Sequence, residues 1–501
     1  MSLWATKSIA TLRAEAESAG GTTLKRALGP FNLVTMGIGA VIGAGIFVLT
    51  GQAAALYAGP AVPISMAVVG VACAFAGLCY AEMASTVPVA GSAYTYVYAT
   101  LGEFLAWIVG WDLVLEYAAG AAGVSVGWSA NLVALLGLFG IHLPDALATS
   151  PTAWCTAAQV GTMAAPACAH PGLNFTGAVI NLPAIAIVAL VSTVLVIGIR
   201  ESARVTNWIV ILKVAIVLLV TVVGLSHITP SNWKPFIAPN SGEWGTYGWS
   251  GVLRGAGLVF FAYIGFDAVS TTAQEAKNPQ RDMPIGILGS LVVCTLLYMI
   301  VSAVLTGMVS YKDLNQPAPM AFAMQHVGAP WIFQVIIDVG IVLGLASVIL
   351  VMLLGQSRVF YSMSRDGLLG AWAGKVHPRF RTPYLSTIYT CIAVSLATGV
   401  LPLQLLGQWV NIGTLLAFVL VSIGVWVLRN KRPDLDRPFR TPLMPFVPIM
   451  GMLCCFGLML TLPADTWIRL GVWLVIGLVI YFGYGKRHSR LQRAVNGNPS
   501  R

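Results

Sequence analysis

Twelve apolar runs of about twenty residues or more follow one another along the chain and leave short polar segments between them. They lie near residues 30–57, 61–87, 103–138, 177–199, 203–227, 248–274, 284–308, 331–363, 385–401, 404–428, 443–463 and 466–485. A helix needs about 20 mostly apolar residues to cross the hydrocarbon core of a bilayer. The sequence therefore predicts an all-α integral membrane protein with about twelve transmembrane helices.

The composition excludes a soluble globular protein. Hydrophobic residues make up 57% of the chain and charged residues 9%, whereas soluble proteins carry roughly 25% charged residues. The net charge of +10 comes from basic residues in the short segments between apolar runs, which indicates membrane topology. We therefore expect a lipid bilayer as surroundings and no nucleic-acid partner.

Known catalytic and metal-binding motifs are missing at credible positions in the sequence. Neither a nucleotide-binding loop, nor a paired-cysteine zinc motif, nor a hydrolase nucleophile elbow is found there. We therefore expect no enzyme activity, no cofactor and no metal site.

The distribution of basic residues predicts which side of the membrane each segment occupies. With both termini in the cytoplasm, the inside segments hold 22 Lys and Arg residues, and the outside segments hold only Lys234, Lys312 and Arg469. This asymmetry is what the positive-inside rule requires. We predict a multi-pass plasma membrane protein with cytoplasmic tails at residues 1–28 and 486–501.

Two of the eight cysteines share a polar loop. Cys155 and Cys168 lie in the predicted outside segment 139–176, whereas the other six lie in apolar runs, where cysteine acts as a small hydrophobic residue. Disulfides form in oxidising compartments. A Cys155–Cys168 disulfide is therefore compatible with an extracellular loop, and the sequence leaves its formation open.

Glycines interrupt the first apolar run at mid-membrane depth. Gly37, Gly39, Gly43 and Gly45 fall within nine positions, and each weakens a helix by about 1 kcal/mol relative to Ala. One interpretation is close helix packing through small residues. The other is a broken helix whose free N–H groups bind a carboxylate and whose free carbonyls bind an ammonium group.

The sixth run favours the broken-helix interpretation. Residues 260–267 (FFAYIGFD) place a glycine and a carboxylate in mid-span. Interrupted helices at corresponding positions of two halves are the best sequence indicator of a transporter binding site. The sequence thus predicts a substrate site between the first and sixth helices.

The motifs in these and other segments resemble the amino acid–polyamine–organocation superfamily, in particular its cationic amino acid transporter branch and the bacterial members of that branch. The similar segments are residues 43–47 (GAGIF), 88–94 (PVAGSAY), 111–117 (WDLVLEY), 266–270 (FDAVS), 277–284 (KNPQRDMP) and 362–367 (SMSRDG). The resemblance covers roughly residues 25–485. It implies two inverted five-helix repeats, about 29–227 and 248–428, which form a transport core at 29–428. It also implies that helices 1 and 6 are broken and that two extra helices follow at 443–485.

The resemblance also implies which residues bind an amino acid. Backbone atoms near the first break would bind its α-carboxylate and amino group, and residues near the sixth-helix break would add carbonyls and side-chain contacts. The implied substrate-binding residues are Ile42, Gly43, Ala44, Gly45, Ile46, Phe261, Ala262, Tyr263 and Ile264. A zwitterion suits both breaks, because helix N-termini favour anions and C-termini favour cations.

Lys213 lies near the middle of the fifth run. One interpretation is a lysine that extends its ammonium group to the membrane interface. The other interpretation is a functional role for Lys213, because ionisable residues inside a membrane usually take part in the function of the protein. Burial disfavours a charged ammonium, so such a group can load and release protons. In proton-coupled bacterial relatives a fifth-helix lysine occupies the place of a sodium ion, and the resemblance assigns proton coupling to Lys213.

Several carboxylates and arginines also lie within the apolar runs. Asp112 and Glu116 are four residues apart and share a helix face. Glu116 matches a family glutamate close to the binding pocket, so we include it among the substrate-binding candidates. Asp267 is expected either to stabilise the sixth-helix break or to join a proton path. For the others we expect an interfacial place for Arg254 and a gate or loop contact for Glu82, and we assign no role to Asp338 or Arg358.

The expected function is secondary-active transport of small neutral or cationic L-amino acids, coupled to protons, by alternating access. None of the predicted cytoplasmic segments is longer than about 30 residues, so we expect no ATPase domain and expect an ion or substrate gradient to supply the energy. The alternatives are an exchanger of amino acids or polyamines and a transporter-like amino acid sensor. A channel would need a filter segment, and a membrane enzyme would need convergent catalytic groups. We find neither in the sequence.

Overall fold

The computed structural model describes residues 3–18, 28–89, 91–155, 168–198 and 203–495, and these are almost entirely helical. Within them, eight helical stretches are long and apolar enough to cross a membrane, and four shorter apolar helices accompany them. The predicted runs correspond to these helices: the short helix Pro30–Val41 and the start of the stretch Gly45–Thr86 fall in the first run, and the rest of that stretch falls in the second. The prediction of an all-α membrane protein is confirmed.

Nineteen α-helices are found in the described residues. In chain order they are α1 Ile9–Ser18, α2 Pro30–Val41, α3 Thr50–Ala53, α4 Val62–Thr86, α5 Ser92–Thr100, α6 Glu103–Leu138, α7 Asp145–Ala148, α8 Leu182–Ile197, α9 Ala203–Leu225, α10 Gly248–Val259, α11 Pro279–Met308, α12 Pro319–His326, α13 Trp331–Arg365, α14 Tyr384–Val400, α15 Leu403–Lys431, α16 Phe446–Leu460, α17 Ala464–Ile480, α18 Lys486–His488 and α19 Arg490–Val495. Shorter turns of wider π geometry occupy Gly45–Leu49, Ala54–Ala58 and Tyr481–Gly485. Tighter 3₁₀ turns occupy Gly59–Ala61, Pro230–Trp233, Phe260–Tyr263, Asp267–Glu275, Tyr311–Asp313 and Ala371–Gly374.

The helices pack around α6, the longest of them. α6 lies against α13 and α15, while α11 packs against α4 and α2. Large apolar side chains point outward from the bundle, for example Leu396 and Val479, which are 67% and 68% exposed. Such side chains suit a surface that faces lipid, where no water competes for apolar groups.

Both chain tails lie at one end of the bundle, which we call the tail end. The Lys7 ammonium donates to Asp366 Oδ1 at 2.7 Å, and the Tyr94 hydroxyl donates to Asp366 Oδ2 at 2.6 Å. The backbone N–H of Arg490 donates to the Asp366 carbonyl at 3.0 Å. The two tails therefore meet at the end of α13, as an even number of spans requires.

The opposite end carries a small β-hairpin. Strands β1 Thr152–Cys155 and β2 Gly172–Phe175 pair antiparallel, with Cys155 opposite Gly172. Cys155 and Cys168 form a disulfide with their Cα atoms 5.6 Å apart. This bond resolves the question that the sequence left open, and it closes a loop whose middle lies outside the described residues.

Tryptophans join the last membrane helix to α6. Trp111 Nε1 donates to the carbonyl of Trp473 at 2.8 Å, and Trp473 Nε1 donates back to the carbonyl of Trp111 at 3.1 Å. Trp107 Nε1 donates to the carbonyl of Gly477 at 3.0 Å. The indole rings of Trp111 and Trp473 stack with centroids 4.4 Å apart. These reciprocal bonds fix α17 against α6.

Candidate functional site

The first membrane helix is broken where the glycines predict it. α2 ends at Val41, and Ile42 adopts an extended conformation with ψ 99°. Helical structure resumes at Gly45 as a π turn. The carbonyls before the break and the N–H groups after it are thus released from regular helical bonding. The broken-helix interpretation of residues 37–45 is confirmed.

The sixth membrane helix breaks in a similar way. α10 ends at Val259, the turn Phe260–Tyr263 tightens, and Ile264 is extended with ψ 134°. Gly265 follows with φ +118°, a conformation that favours glycine. The chain turns helical again at Asp267. The break predicted from residues 260–267 is confirmed.

The two breaks touch each other through their glycines. A Cβ atom on Gly45 would overlap the backbone of Ala262, and one on Gly265 would lie 2.8 Å from the Ala40 carbonyl oxygen. Only residues without a side chain allow this approach. The glycines therefore both interrupt the helices and bring the two interruptions into contact.

A small cavity of about 10 Å³ lies at this meeting point, with room for about one water molecule. Its lining residues are Ala40, Val41, Gly43, Ala44, Gly45, Gly120, Val124, Phe261, Ile264, Val348 and Met352. Five of the predicted substrate-binding residues are in this set, namely Gly43, Ala44, Gly45, Phe261 and Ile264. An amino acid is much larger than one water molecule, so the cavity must widen before it can bind one.

The other predicted substrate-binding residues of the two breaks lie beside the cavity without lining it. Ile46 and Ala262 are buried at the contact between the breaks, and the carbonyl of Ile42 points to Lys213. The Tyr263 ring is directed away from the cavity, because its hydroxyl donates to the Met66 carbonyl at 2.8 Å and its ring packs on Tyr298.

Six lining residues were not predicted from the sequence. Gly120 and Val124 are four and eight residues after Glu116, so helical periodicity alone could have placed them on its face of α6. Ala40 and Val41 directly precede the predicted break. Val348 and Met352 on α13 carried no signal, since they are apolar residues in an apolar helix.

Lys213 reaches the first break. Its Nζ donates to the Gly39 carbonyl at 2.6 Å and to the Ile42 carbonyl at 3.2 Å, and the residue is 1% exposed. Among the residues that the structure describes, the ion pairs do not include Lys213. Its ammonium thus occupies the place of the N–H donors that the break removes. This position contradicts the interpretation of a lysine that extends to the membrane interface.

Three buried carboxylates of α6 and the sixth membrane helix lie outside the cavity lining. Asp112, Glu116 and Asp267 are each 1% exposed. Asp267 is close enough to Glu116 and to Tyr117 to interact with both electrostatically. The direct substrate role of Glu116 and the two alternatives for Asp267 stay predictions.

Glu82 makes the loop contact expected of it. Its Oε2 accepts from Arg429 Nη2 at 2.7 Å and from the backbone N–H of Thr441 at 2.8 Å, and its Oε1 lies 3.3 Å from Arg437 Nε. Glu82 therefore ties the tail end of α4 to the segment between α15 and α16.

The remaining charged residues of the apolar runs also have defined positions. Arg254 stacks over the Tyr57 ring at 5.6 Å, and Arg358 Nη2 lies 3.5 Å from Glu275 Oε1. Asp338 is buried within α13. Within the described ranges, His, Cys, Asp and Glu side chains do not gather into a cluster that could hold a metal ion.

Two broken helices that meet mid-bundle, with a buried ammonium on the freed carbonyls, are typical of membrane transporters. The amino acid permease family matches residues 28–482. The chain therefore belongs to the amino acid permeases of the amino acid–polyamine–organocation superfamily. It is a multi-pass membrane transporter of amino acids and not an enzyme.

Named relatives agree with this assignment. The branched-chain amino acid permease BcaP of Bacillus subtilis is 47% identical over 95% of this chain and 97% of its own length. The methylthioribose transporter of the same species is 44% identical over 98% of this chain and its full length. The vacuolar cationic amino acid transporter 4 of Arabidopsis thaliana is 37% identical over 83% of this chain and 65% of its own length.

Proposed function

We propose that this transporter is a plasma membrane symporter that carries small neutral L-amino acids together with protons, with both termini in the cytoplasm. The observation that carries the proposal is the Lys213 ammonium, which donates to the Gly39 and Ile42 carbonyls at the first break. The 10 Å³ cavity supports alternating access, since the bundle must open to admit an amino acid and close around it.

The position of Lys213 links its charge to the shape of the break. The charged ammonium attracts two carbonyls that have lost their helical partners, and this attraction holds the end of α2 in place. The titratable side chain that interacts with Lys213 most directly is Cys294 on α11, while the nearby Tyr298 hydroxyl donates to the Val41 carbonyl at 2.8 Å. Loss of the proton removes the attraction, so proton release and movement of the first helix are coupled.

A zwitterionic amino acid fits the arrangement of the breaks. The N–H groups at Gly43–Gly45 begin a helical segment, where the helix dipole favours the α-carboxylate. The carbonyls of Phe261 and Ile264 end the first part of the sixth helix and would accept from the α-ammonium group.

The lining of the cavity favours an aliphatic side chain on the substrate. Gly120, Val124 and Met352 contribute apolar surface, and none of the lining residues is charged. A cationic side chain would need Glu116, which lies outside this lining. We therefore place neutral substrates of the alanine-to-leucine type ahead of cationic ones, in keeping with the name of the Bacillus subtilis permease.

The test is uptake of radiolabelled alanine, leucine and arginine by purified protein in liposomes, with and without an inward proton gradient. We expect the gradient to drive accumulation of alanine or leucine and to have a smaller effect on arginine. The Lys213→Ala variant should lose accumulation against a gradient. The matched control is Lys234→Ala, because Lys234 is an exposed lysine outside the membrane helices.

Each alternative function predicts a different outcome in this assay. Gradient-driven accumulation that persists in Lys213→Ala would contradict the coupling role of Lys213. Uptake that ignores the gradient but requires internal amino acid would identify an exchanger. Specific binding without uptake would identify a sensor, and competition by methylthioribose would place the substrate in the class of the second relative.

A further inference from the structure

An ion pair on the tail-end side of the breaks joins the sixth membrane helix to α13. Arg358 Nη2 lies 3.5 Å from Glu275 Oε1, and Arg358 Nη1 donates to Thr271 Oγ1 at 3.4 Å. We propose that Arg358 and Glu275 form the inner gate of the transporter, which opens to let an amino acid leave toward the tail end. The proposal rests on the alternating access proposed above, and it does not depend on proton coupling or on which amino acid is carried.

The position of this pair relative to the cavity at the breaks indicates a gate. Val348 and Met352 of α13 line that cavity together with residues of both breaks. Arg358 follows Met352 by six residues toward the tail end of α13, a distance of about 9 Å along the helix. Glu275 ends the helical turn Asp267–Glu275 that follows the sixth-helix break. The pair therefore bridges the boundary between the sixth helix and α13 on the tail-end side of the cavity.

The tail-end halves of both broken helices are joined to each other beside this pair. The backbone N–H of Leu28 donates to the Glu275 carbonyl at 3.0 Å, and the N–H of Lys277 donates to the Leu28 carbonyl at 2.8 Å. Since Leu28 lies two residues before α2, these bonds tie the start of the first membrane helix to the end of the sixth. Through Glu275, Arg358 therefore holds both of these halves against α13.

The strength of the pair suits a contact that breaks in every transport cycle. The side chains of Arg358 and Glu275 are 36% and 29% exposed, and their separation of 3.5 Å exceeds that of an ordinary hydrogen bond. Partly exposed ion pairs of this kind contribute little to stability, because water solvates the separated charges. Glu82, which is 1% exposed and lies 2.7 Å from Arg429, has the opposite character. The Arg358–Glu275 pair can therefore open while the Glu82 pairs stay closed.

The test is the accessibility of a cysteine in the cavity from each side of the membrane. Val348→Cys places a thiol of nearly the same size in the cavity lining, at a residue that is 2% exposed. Inside-out and right-side-out membrane vesicles are treated with a membrane-impermeant methanethiosulfonate, and the full-length protein without this substitution gives the background of its own cysteines. In inside-out vesicles we expect Arg358→Gln and Glu275→Gln each to raise the labelling rate of Val348→Cys about fivefold.

Two further variants show whether the effect belongs to this pair. Arg358→Gln combined with Glu275→Gln should label no faster than either single variant, because both substitutions break the same contact. The matched control is Arg432→Gln, which breaks the exposed pair with Asp434 and leaves the sixth helix and α13 untouched. In right-side-out vesicles the gate variants should label no faster than their Val348→Cys parent, because opening one end of the bundle closes the other.

Three outcomes would overturn the inner gate. They are equal labelling of parent and gate variants in inside-out vesicles, an equal increase in Arg432→Gln, and faster labelling in both vesicle orientations together with a lower melting temperature, which would show a loosened bundle. A failure of alternating access itself is distinguishable, because the Val348→Cys parent would then be labelled from one side of the membrane only. The assay uses neither substrate nor gradient, so its result is independent of whether protons drive transport.

Discussion

At the scale of single residues, the site depends on two glycines and one lysine. Gly45 and Gly265 allow the broken helices to touch, and Lys213 supplies the donor that the first break lacks. The glycines act through the absence of a side chain and the lysine through its charge. Each therefore responds to substitution in its own way.

Gly45→Ala should lower transport sharply. The added methyl group would overlap the backbone of Ala262, and forcing extra volume into a packed core destabilises it by about 1–3 kcal/mol. We expect uptake in liposomes to fall by about tenfold or more, together with a lower melting temperature. Gly457→Ala on α16 is the matched control, since nothing lies within 4 Å of its Cβ position and Ala favours a helix. Wild-type uptake by Gly45→Ala would show that the breaks separate in the working transporter.

Sequence reasoning located those residues of the site that are unusual for their surroundings. Glycines and a lysine at membrane depth violate the expectation for an apolar helix, so they are visible without a structure. Val348 and Met352 are ordinary residues of an apolar run, and only the packing of α13 against α6 brings them to the cavity. The orientation of the Tyr263 ring away from the cavity likewise depends on its hydrogen bond to Met66, which lies almost two hundred residues away in the chain.

At the scale of helices, an ionic cluster joins elements that the sequence keeps apart. Glu82 at the end of α4 meets Arg429 on α15 and Arg437 in the segment that leads to α16. Glu82 is 1% exposed and Arg437 is 6% exposed. The apolar runs predicted where these helices lie, but charge positions alone could not pair residues about 350 positions apart.

Glu82→Gln should destabilise this end of the bundle. Removing one member of a buried ion pair leaves its partners without compensation, which typically lowers stability by about 3–5 kcal/mol. We expect a clearly lower melting temperature in detergent. The contrasting change is Asp434→Asn, which removes a carboxylate from the exposed pair with Arg432 and should leave the melting temperature unchanged. Equal effects of both substitutions would mean that burial does not matter at Glu82.

At the scale of the whole molecule, the two tails and the hairpin divide the bundle into two ends. Residues 3–7 and 486–495 gather near Asp366, while the disulfide-bonded hairpin lies at the other end. The predicted excess of Lys and Arg in the segments at the tail end favours the cytoplasm for that end. A disulfide at the opposite end agrees with an oxidising outer compartment.

Labelling of intact cells with a membrane-impermeant maleimide would test this orientation. Ser241→Cys lies in an exposed loop at the hairpin end and should be labelled, whereas Arg487→Cys, exposed at the tail end, should be labelled only after the cells are opened. The unmodified protein serves as the background control for its own cysteines. Labelling of Arg487→Cys in intact cells would reverse the predicted topology.

The reciprocal tryptophan bonds between α6 and α17 have a consequence for the order in which the chain is made. Trp107 and Trp111 leave the ribosome about 360 residues before the carbonyls of Gly477 and Trp473 that accept from them. Until α17 enters the membrane, these indole N–H groups lack their acceptors at a depth where water cannot replace them. Helix α17 thus completes the interface of α6. A chain truncated before Ala464 would leave these indole N–H groups without acceptors, exposed to the cellular machinery that recognises incomplete membrane proteins.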